Sequence, residues 1–315
     1  MNRRILQRLN SQEYEHSFDR KALENLKKTK GFDTFVKAFY KYWMEKVYKM
    51  QFTGSNIRVT EESFPEVNKA LHNACEILEM NYIPKLYIQY DYSVNAFVAG
   101  IEDPIIVLNT GCLDLLTEEE LMFLIGHELG HIKSNHVLYH QMGYFIPYLG
   151  SMVGYATLGI GKLIITGIEL ALLNWQRMSE FTADRAGLLT CQNIDAATTA
   201  SMKIAGLPLK YYNQINIEAF KRQAKEFEAY DYDKLDKLVK LISTLNRTHP
   251  WTIMRAAEFY QWQDNGSYDK ILKRHWIKDT IIICEKCNQK MKIPTGRGVL
   301  KAKCPQCQHT FHVDT

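Results

Sequence analysis

The chain has 315 residues, 46% of them hydrophobic and 23% charged, and carries a formal net charge of +4. Those proportions exclude a disordered, collagen-like or disulfide-scaffold protein, and the length implies one large domain with a small one, or two of medium size. Residues 276–315 hold seven basic and three acidic side chains, which accounts for the whole +4 and leaves the first 275 residues neutral. Whole-protein steering toward nucleic acid is therefore disfavoured.

The N-terminus, "MNRRILQRLNSQEYEHSFDR", has no apolar run and no small-residue cleavage site, so no secretory signal is read there. Helical spacing of apolar residues covers 19–51, with Gly31 as a break. An extended stretch follows at Asn56–Thr60, then an amphipathic helix from Pro65 to Met80. "KLYIQY", "NAFVAG" and "PIIVLN" are rich in β-branched and aromatic residues and read as strands of one small sheet.

Thr117 followed by Glu120 forms a capping box, which starts a helix expected to run through "EEELMFLIGHELGHIKSNHVLYH". Tyr144–Trp175 is the most apolar segment of the chain. Its first eighteen residues carry no charge, a length that raises a membrane question, but Lys162, Glu169 and five glycines interrupt the segment. A pair of buried helices and contact with a membrane through 144–175 are the two readings. From Gln176 to about Tyr260 the pattern is helical, with a charged stretch read as a solvated face; no internal repeat is read anywhere in the chain. At Trp276 the composition changes to short β-rich pieces.

The stretch "GHELGH" places His127 and His131 four apart on one helix face, with Glu128 beside the first. Two imidazoles pointing one way, with a carboxylate next to the open position, suit a tetrahedral zinc site, but a third protein ligand is needed. Ser134 and Val137 break the pattern that would supply it from the same segment. On a continuous helix His136 and His140 lie off the ligand face, which makes them surface or supporting histidines. A glutamate on a later helix remains. "QRMSEFTADRAG" supplies Glu180, with Asp184 four residues on and so on the same face; a carboxylate in that place suits orientation of a ligand histidine through its free N–H. Glu169 competes but has no acidic partner at that spacing. Glu180 is the expected third ligand.

At this point the chain resembles the HtpX-like zinc endopeptidases, gluzincins whose relatives include the CAAX prenyl endoproteases. The likeness rests on "GHELGHI", "RMSEFTADRAG", "NAFVAG" and "THPWTIMRAAE", in that family's order, over roughly residues 60–260. It implies that His127, His131 and Glu180 bind zinc, that Glu128 is the general base and that Asp184 orients a ligand histidine. It further implies that His249 lies near the site and stabilises the oxyanion, that Arg177 and Arg255 are ion-pair partners, and that Asn95, Ala96 and Phe97 form an edge receiving substrate as an added strand. Trp251 departs from the family, which often has a proline or a small residue there.

In the tail, Cys284-Glu-Lys-Cys287 and Cys304-Pro-Gln-Cys307, sixteen residues apart, have the spacing of a four-cysteine structural zinc ribbon. The intervening stretch reads as a hairpin turning at Gly296 or Gly298, and His309 and His312 as surface residues. Four thiolates and one Zn²⁺ lower the tail's charge to about +2, which argues against nucleic acid and for a protein partner.

The expected fold is α+β, a mainly helical zincin-type metalloprotease domain with a small sheet (1–275, with N-terminal helices 1–55 and a catalytic core 56–260), followed by a β-rich zinc ribbon (276–315). The expected function is zinc-dependent endopeptidase action on polypeptides in protein quality control, with one catalytic and one structural zinc. The alternative is a catalytically silent zinc-binding adaptor or chaperone-like protein acting through the ribbon. The expected location is the cytoplasm, or the cytoplasmic face of a membrane if 144–175 makes contact with it.

Overall fold

The computed structural model describes residues 3–42, 45–156, 160–229, 250–274, 279–294 and 299–314. His249, the Trp276 boundary and the Gly296/Gly298 turn lie outside these. Four helices open the chain: α1 (Ser11–Tyr14), α2 (Ser17–Lys28), α3 (Phe32–Tyr42) and α4 (Glu45–Ser55). Gly31, at φ +84°, makes the turn between α2 and α3 that a side chain would resist. His16 starts α2, its Nδ1 accepting from the Phe18 N–H.

The expected small sheet follows: β1 (Ile57–Arg58), α5 (Pro65–Ile77), β2 (Lys85–Gln89), β3 (Ala96–Ala99) and β4 (Ile105–Asn109), in the order β1-β2-β4-β3. β2 and β4 run parallel, whereas β1 and β3 pair antiparallel at the two edges. All five residues of β4 are buried, which explains the unbroken apolar run "IIVLN". Ile106 and Leu108 face the main core with α5, while Ile105 and Val107 pack with Phe52 of α4 and Phe97.

After α6 (Thr110–Leu115) comes α7 (Glu118–Lys133), started by the expected capping box, in which Thr117 N–H donates to Glu120 Oε2 at 2.7 Å. Every residue of α7 from Met122 to Ile132 is buried. The helix stops earlier than the apolar pattern predicted. Ser134 caps it, and Asn135, at φ +57°, turns the chain into α8 (Val137–Ala156), a left-handed position that asparagine tolerates. Then follow α9 (Ile160–Cys191), α10 (Ile194–Ile204), a 3₁₀ turn (Leu209–Gln214), α11 (Ile217–Ala229), α12 (Thr252–Asp264) and α13 (Ser267–Arg274). The apolar segment is thus divided between α8 and α9; among the described residues no helix is long and apolar enough to cross a membrane.

α9 crosses α7 closely because of glycine. A Cβ on Gly126 would lie 2.4 Å from Thr190 Cβ, and one on Gly130 would lie 2.6 Å from Ala186 Cβ. Both separations are far inside van der Waals contact. On the opposite side of the crossing, a Cβ on Gly187 would meet the Phe123 carbonyl at 2.7 Å. Three glycines therefore bring the two backbones together.

The tail contains β5 (Asp279–Ile283), β6 (Lys290–Pro294), β7 (Val299–Lys303) and β8 (Thr310–Asp314). Here the pairing differs from the sequence reading. β6 pairs with β5 and β7 with β8, so the hairpin turns are the two CxxC segments themselves. The two units repeat each other: Asn288 at φ +57° corresponds to Gln308 at φ +59°, and Cys284 N–H to Gln289 O at 3.0 Å corresponds to Cys304 N–H to His309 O at 2.8 Å. The twenty-residue spacing from Cys284 to Cys304 is thus an internal repeat that the sequence reading missed.

Gly126→Ala, which forces α9 away from α7 or strains Thr190, is expected to lower the unfolding free energy by about 1–3 kcal/mol in urea denaturation. An unchanged midpoint would contradict the close crossing.

Candidate metal centre

Gly126 and Gly130 directly precede His127 and His131, so the face of α7 that meets α9 lies next to the face that carries the imidazoles. α9 brings Glu180 and Asp184 there. The two His Nε2 atoms are 3.2 Å apart; Glu180 presents Oε2 to His127 Nε2 at 3.5 Å and Oε1 to His131 Nε2 at 3.4 Å. A tetrahedral zinc with bonds of about 2.0–2.2 Å has ligand atoms about 3.3–3.6 Å apart, so the spacing is close to that of such an ion. The tail fits by the same test. Cys284 Sγ to Cys307 Sγ is 3.6 Å and Cys287 Sγ to Cys304 Sγ is 3.5 Å, against about 3.8 Å for zinc–sulfur bonds of about 2.3 Å. Among the described residues these two clusters are the groups able to hold a metal.

Charge supports the same fit. Glu128, Glu180 and Asp184 are at most 4% exposed and share the site with one guanidinium, that of Arg255. Burial opposes charge on His127, yet its hydrogen bonds to Asp184 and Glu180 raise it to about 10, so these carboxylates hold a proton that a divalent cation would displace. Arg255 grips Asp184 with both arms, Nε to Oδ2 at 2.7 Å and Nη2 to Oδ1 at 2.5 Å, and lies 3.7 Å from Glu180. His127 Nδ1–H donates to Asp184 Oδ1 at 2.9 Å. Burial opposes ionisation of Asp184, yet the attraction of Arg255 and the hydrogen bonds from Arg255 and His127 hold its carboxyl below the usual range. Burial, with Glu180 nearby, pushes Glu128 up to about 7 against the pull of His127 and Arg255. Burial lowers His131 to about 4, which keeps it neutral with a lone pair to give.

Glu128 shares a cleft of about 100 Å³ with the three donors, and Asn95, Ala96, Phe97 and Val98 line it too. β3 is a sheet edge. Asn109 N–H donates to Asn95 O, so the alternation turns the backbone groups of Ala96 and Val98 outward. Val98 O accepts from Gln141 Nε2 of α8 at 3.0 Å. His140, Tyr144 and Gln176 also line the cleft. A wider groove of about 780 Å³, bordered by Arg8, Glu79 and Lys133, lies away from the donors.

Arg177 is buried on α9 three residues before Glu180. Glu169 lies eleven residues before Glu180, about 16 Å along that helix, and outside the donor cluster. Of the two places the sequence left open for His136 and His140, surface or support, both take the second, although a helical projection had turned them away from the site. His136 is 4% exposed, with Nδ1 3.1 Å from His131 Nδ1, and the ring of His140 packs edge-on against His131 with centroids 4.8 Å apart. A helical projection failed because α7 ends at Lys133 and the Asn135 turn reverses the chain. No local signal marks that pairing. In the tail, His312 is exposed, whereas His309 is half-buried and stacks on Phe311.

Residues 61–263 match the pattern of peptidase family M48. The chain belongs to that family. It is 30% identical over 275 residues to plastoglobule-localized metallopeptidase 48, chloroplastic, of Arabidopsis thaliana, covering 87% of this chain and 78% of that protein. It is 26% identical to a protease HtpX homolog of Thermodesulfovibrio yellowstonii, over 61% of this chain and 71% of that one. A protease HtpX homolog of Methylibium petroleiphilum is 24% identical over 70% of this chain and 82% of its own length. No solved structure matches. As an M48 member of the HtpX-like kind, the protein is a metalloprotease, an enzyme whose substrates are polypeptides, and the resemblance read from its motifs holds.

Proposed function

We propose that this M48 peptidase is a zincin-type endopeptidase with His127, His131 and Glu180 as ligands of a catalytic zinc and Glu128 as general base. The observation that carries the reading is that the two Nε2 atoms lie 3.2 Å apart with one Glu180 oxygen 3.5 Å from the first and the other 3.4 Å from the second, near the edge length of a zinc tetrahedron, with Glu128 in the same cleft. Zinc bound there supplies a Lewis acid and lowers the pKa of a water toward ~7. Glu128 accepts the proton of the attacking water and delivers it to the departing amide nitrogen. A group poised near neutrality can do both, and its elevation by burial suits the delivery step. Asp184 holds His127 by its Nδ1–H, and Arg255 holds Asp184. The cysteine tail forms a structural zinc ribbon over 276–315 that serves to engage a protein partner.

The substrate binds as a strand added to β3, its backbone pairing with Ala96. Gln141 already occupies the outward carbonyl of Val98, so pairing ends there or displaces that amide. Protein quality control is the setting this reading favours, in the cytoplasm or at the cytoplasmic face of a membrane.

Glu128→Gln, measured on an unstructured polypeptide, is expected to reduce kcat by at least about 10²-fold while zinc content stays at two per chain. Loss of zinc would make Glu128 a ligand, and retained activity would remove the general base. Wild-type protein holding zinc at the cluster yet cleaving no peptide would favour the silent adaptor. Ala96→Pro removes one outward N–H at an edge position where proline is tolerated. It is expected to raise KM several-fold, up to about ten-fold, with zinc content unchanged; an unchanged KM would place the substrate elsewhere.

A further inference from the structure

His131 has two ring nitrogens, and only Nε2 faces the donor cluster. If that lone pair goes to a cation, the proton of the neutral ring sits on Nδ1. Nδ1–H then donates to His136 Nδ1 at 3.1 Å. His136 must accordingly carry its own proton on Nε2, which lies 3.1 Å from Asp19 Oδ2. Asp19 makes a well-held end point, because it is 2% exposed, Thr182 Oγ1–H donates to Oδ2 at 2.7 Å, and Trp175 Nε1–H donates to Oδ1 at 2.9 Å. Every proton along this chain of groups points away from the metal side, and each step leaves one tautomer. Asp19 belongs to α2, which precedes the segment that matches the family pattern, residues 61–263.

We infer that Asp19 and His136 form a positioning relay through which the N-terminal helix α2 fixes the tautomer and ring direction of His131, and so sets zinc affinity at the cluster. This rests on the reading of the cluster as a zinc site. The relay ties α2 to the cluster, and Asp19 and His136 act through His131 as positioning residues. Asparagine at position 19 shows how strict the arrangement is. With its oxygen toward His136, its NH₂ opposes the Trp175 N–H. With its NH₂ toward His136, that ring must move its proton to Nδ1, where it opposes the His131 N–H.

The test is zinc competition against a chromophoric chelator in the full chain, with Glu180→Ala marking which release step belongs to the cluster. Asp19→Asn and His136→Leu are expected to weaken that step by about 10–100-fold and leave the other unchanged. His136→Gln can accept from His131 and donate to Asp19, so it should stay within about three-fold of wild type. Leu26→Ala removes core volume from the fully buried face of α2 and no hydrogen bond of the relay, and should lower Tm without weakening zinc.

Wild-type affinity in Asp19→Asn, or equal weakening in Leu26→Ala and Asp19→Asn, would overturn the relay. Should Asp19→Asn fail to fold, the His136→Gln and His136→Leu pair decides: equal affinities overturn it. Absence of any Glu180-dependent step would instead overturn the zinc reading beneath it.

Discussion

The close crossing of α7 and α9 is the constraint on which the site depends. Both histidines of the donor cluster stand on α7, and its third donor, Glu180, stands on α9 with the supporting Asp184, so their separation is the separation of two helix axes. Gly126, Gly130 and Gly187 set it, since a Cβ at any of them would overlap the facing helix. A helix buried on every side for eleven residues, as α7 is from Met122 to Ile132, has little freedom to readjust. The donors are thereby held at ligand spacing by packing, before any ion contributes.

Such packing gathers like charges. Glu128, Glu180 and Asp184 lie together out of water, and one guanidinium is set among them. Arg255 spans Asp184 and approaches Glu180, so it organises the carboxylates it neutralises. A second buried cation, Lys203, does comparable work at the other end of α7, where it meets the capping Glu120 at 2.6 Å. Removing one partner from a group of this kind leaves a buried charge uncompensated, which is costly in a way that a surface pair is not. The carboxylates gathered there favour a cation, either the proton of His127 or a metal that displaces it.

Much of this was legible in the sequence because the information is local. The capping box of Thr117 and Glu120, the i, i+4 pairs His127/His131 and Glu180/Asp184, and the strands around "KLYIQY", "NAFVAG" and "PIIVLN" all follow from short-range spacing. Arg255 was reachable through family resemblance alone. What stayed hidden depends on turns and on distant pairing. A left-handed Asn135 ends α7 and carries His136 to His131, against the helical projection. Asp19 meets Trp175 and Thr182 across 156 and 163 positions, and nothing near Asp19 announces it. In the tail the cysteine spacing was clear, but the hairpins close at the cysteines rather than between the two pairs. The twenty-residue repeat from Cys284 to Cys304 held that information.

Zinc-edge X-ray absorption of the metal-loaded protein tests the central claim most directly. Two sites of different chemistry predict a first shell containing nitrogen and oxygen at about 2.0–2.1 Å together with sulfur at about 2.3 Å. A shell of sulfur alone would show that zinc fills only the cysteine cluster, and would contradict a zinc centre built on His127, His131 and Glu180.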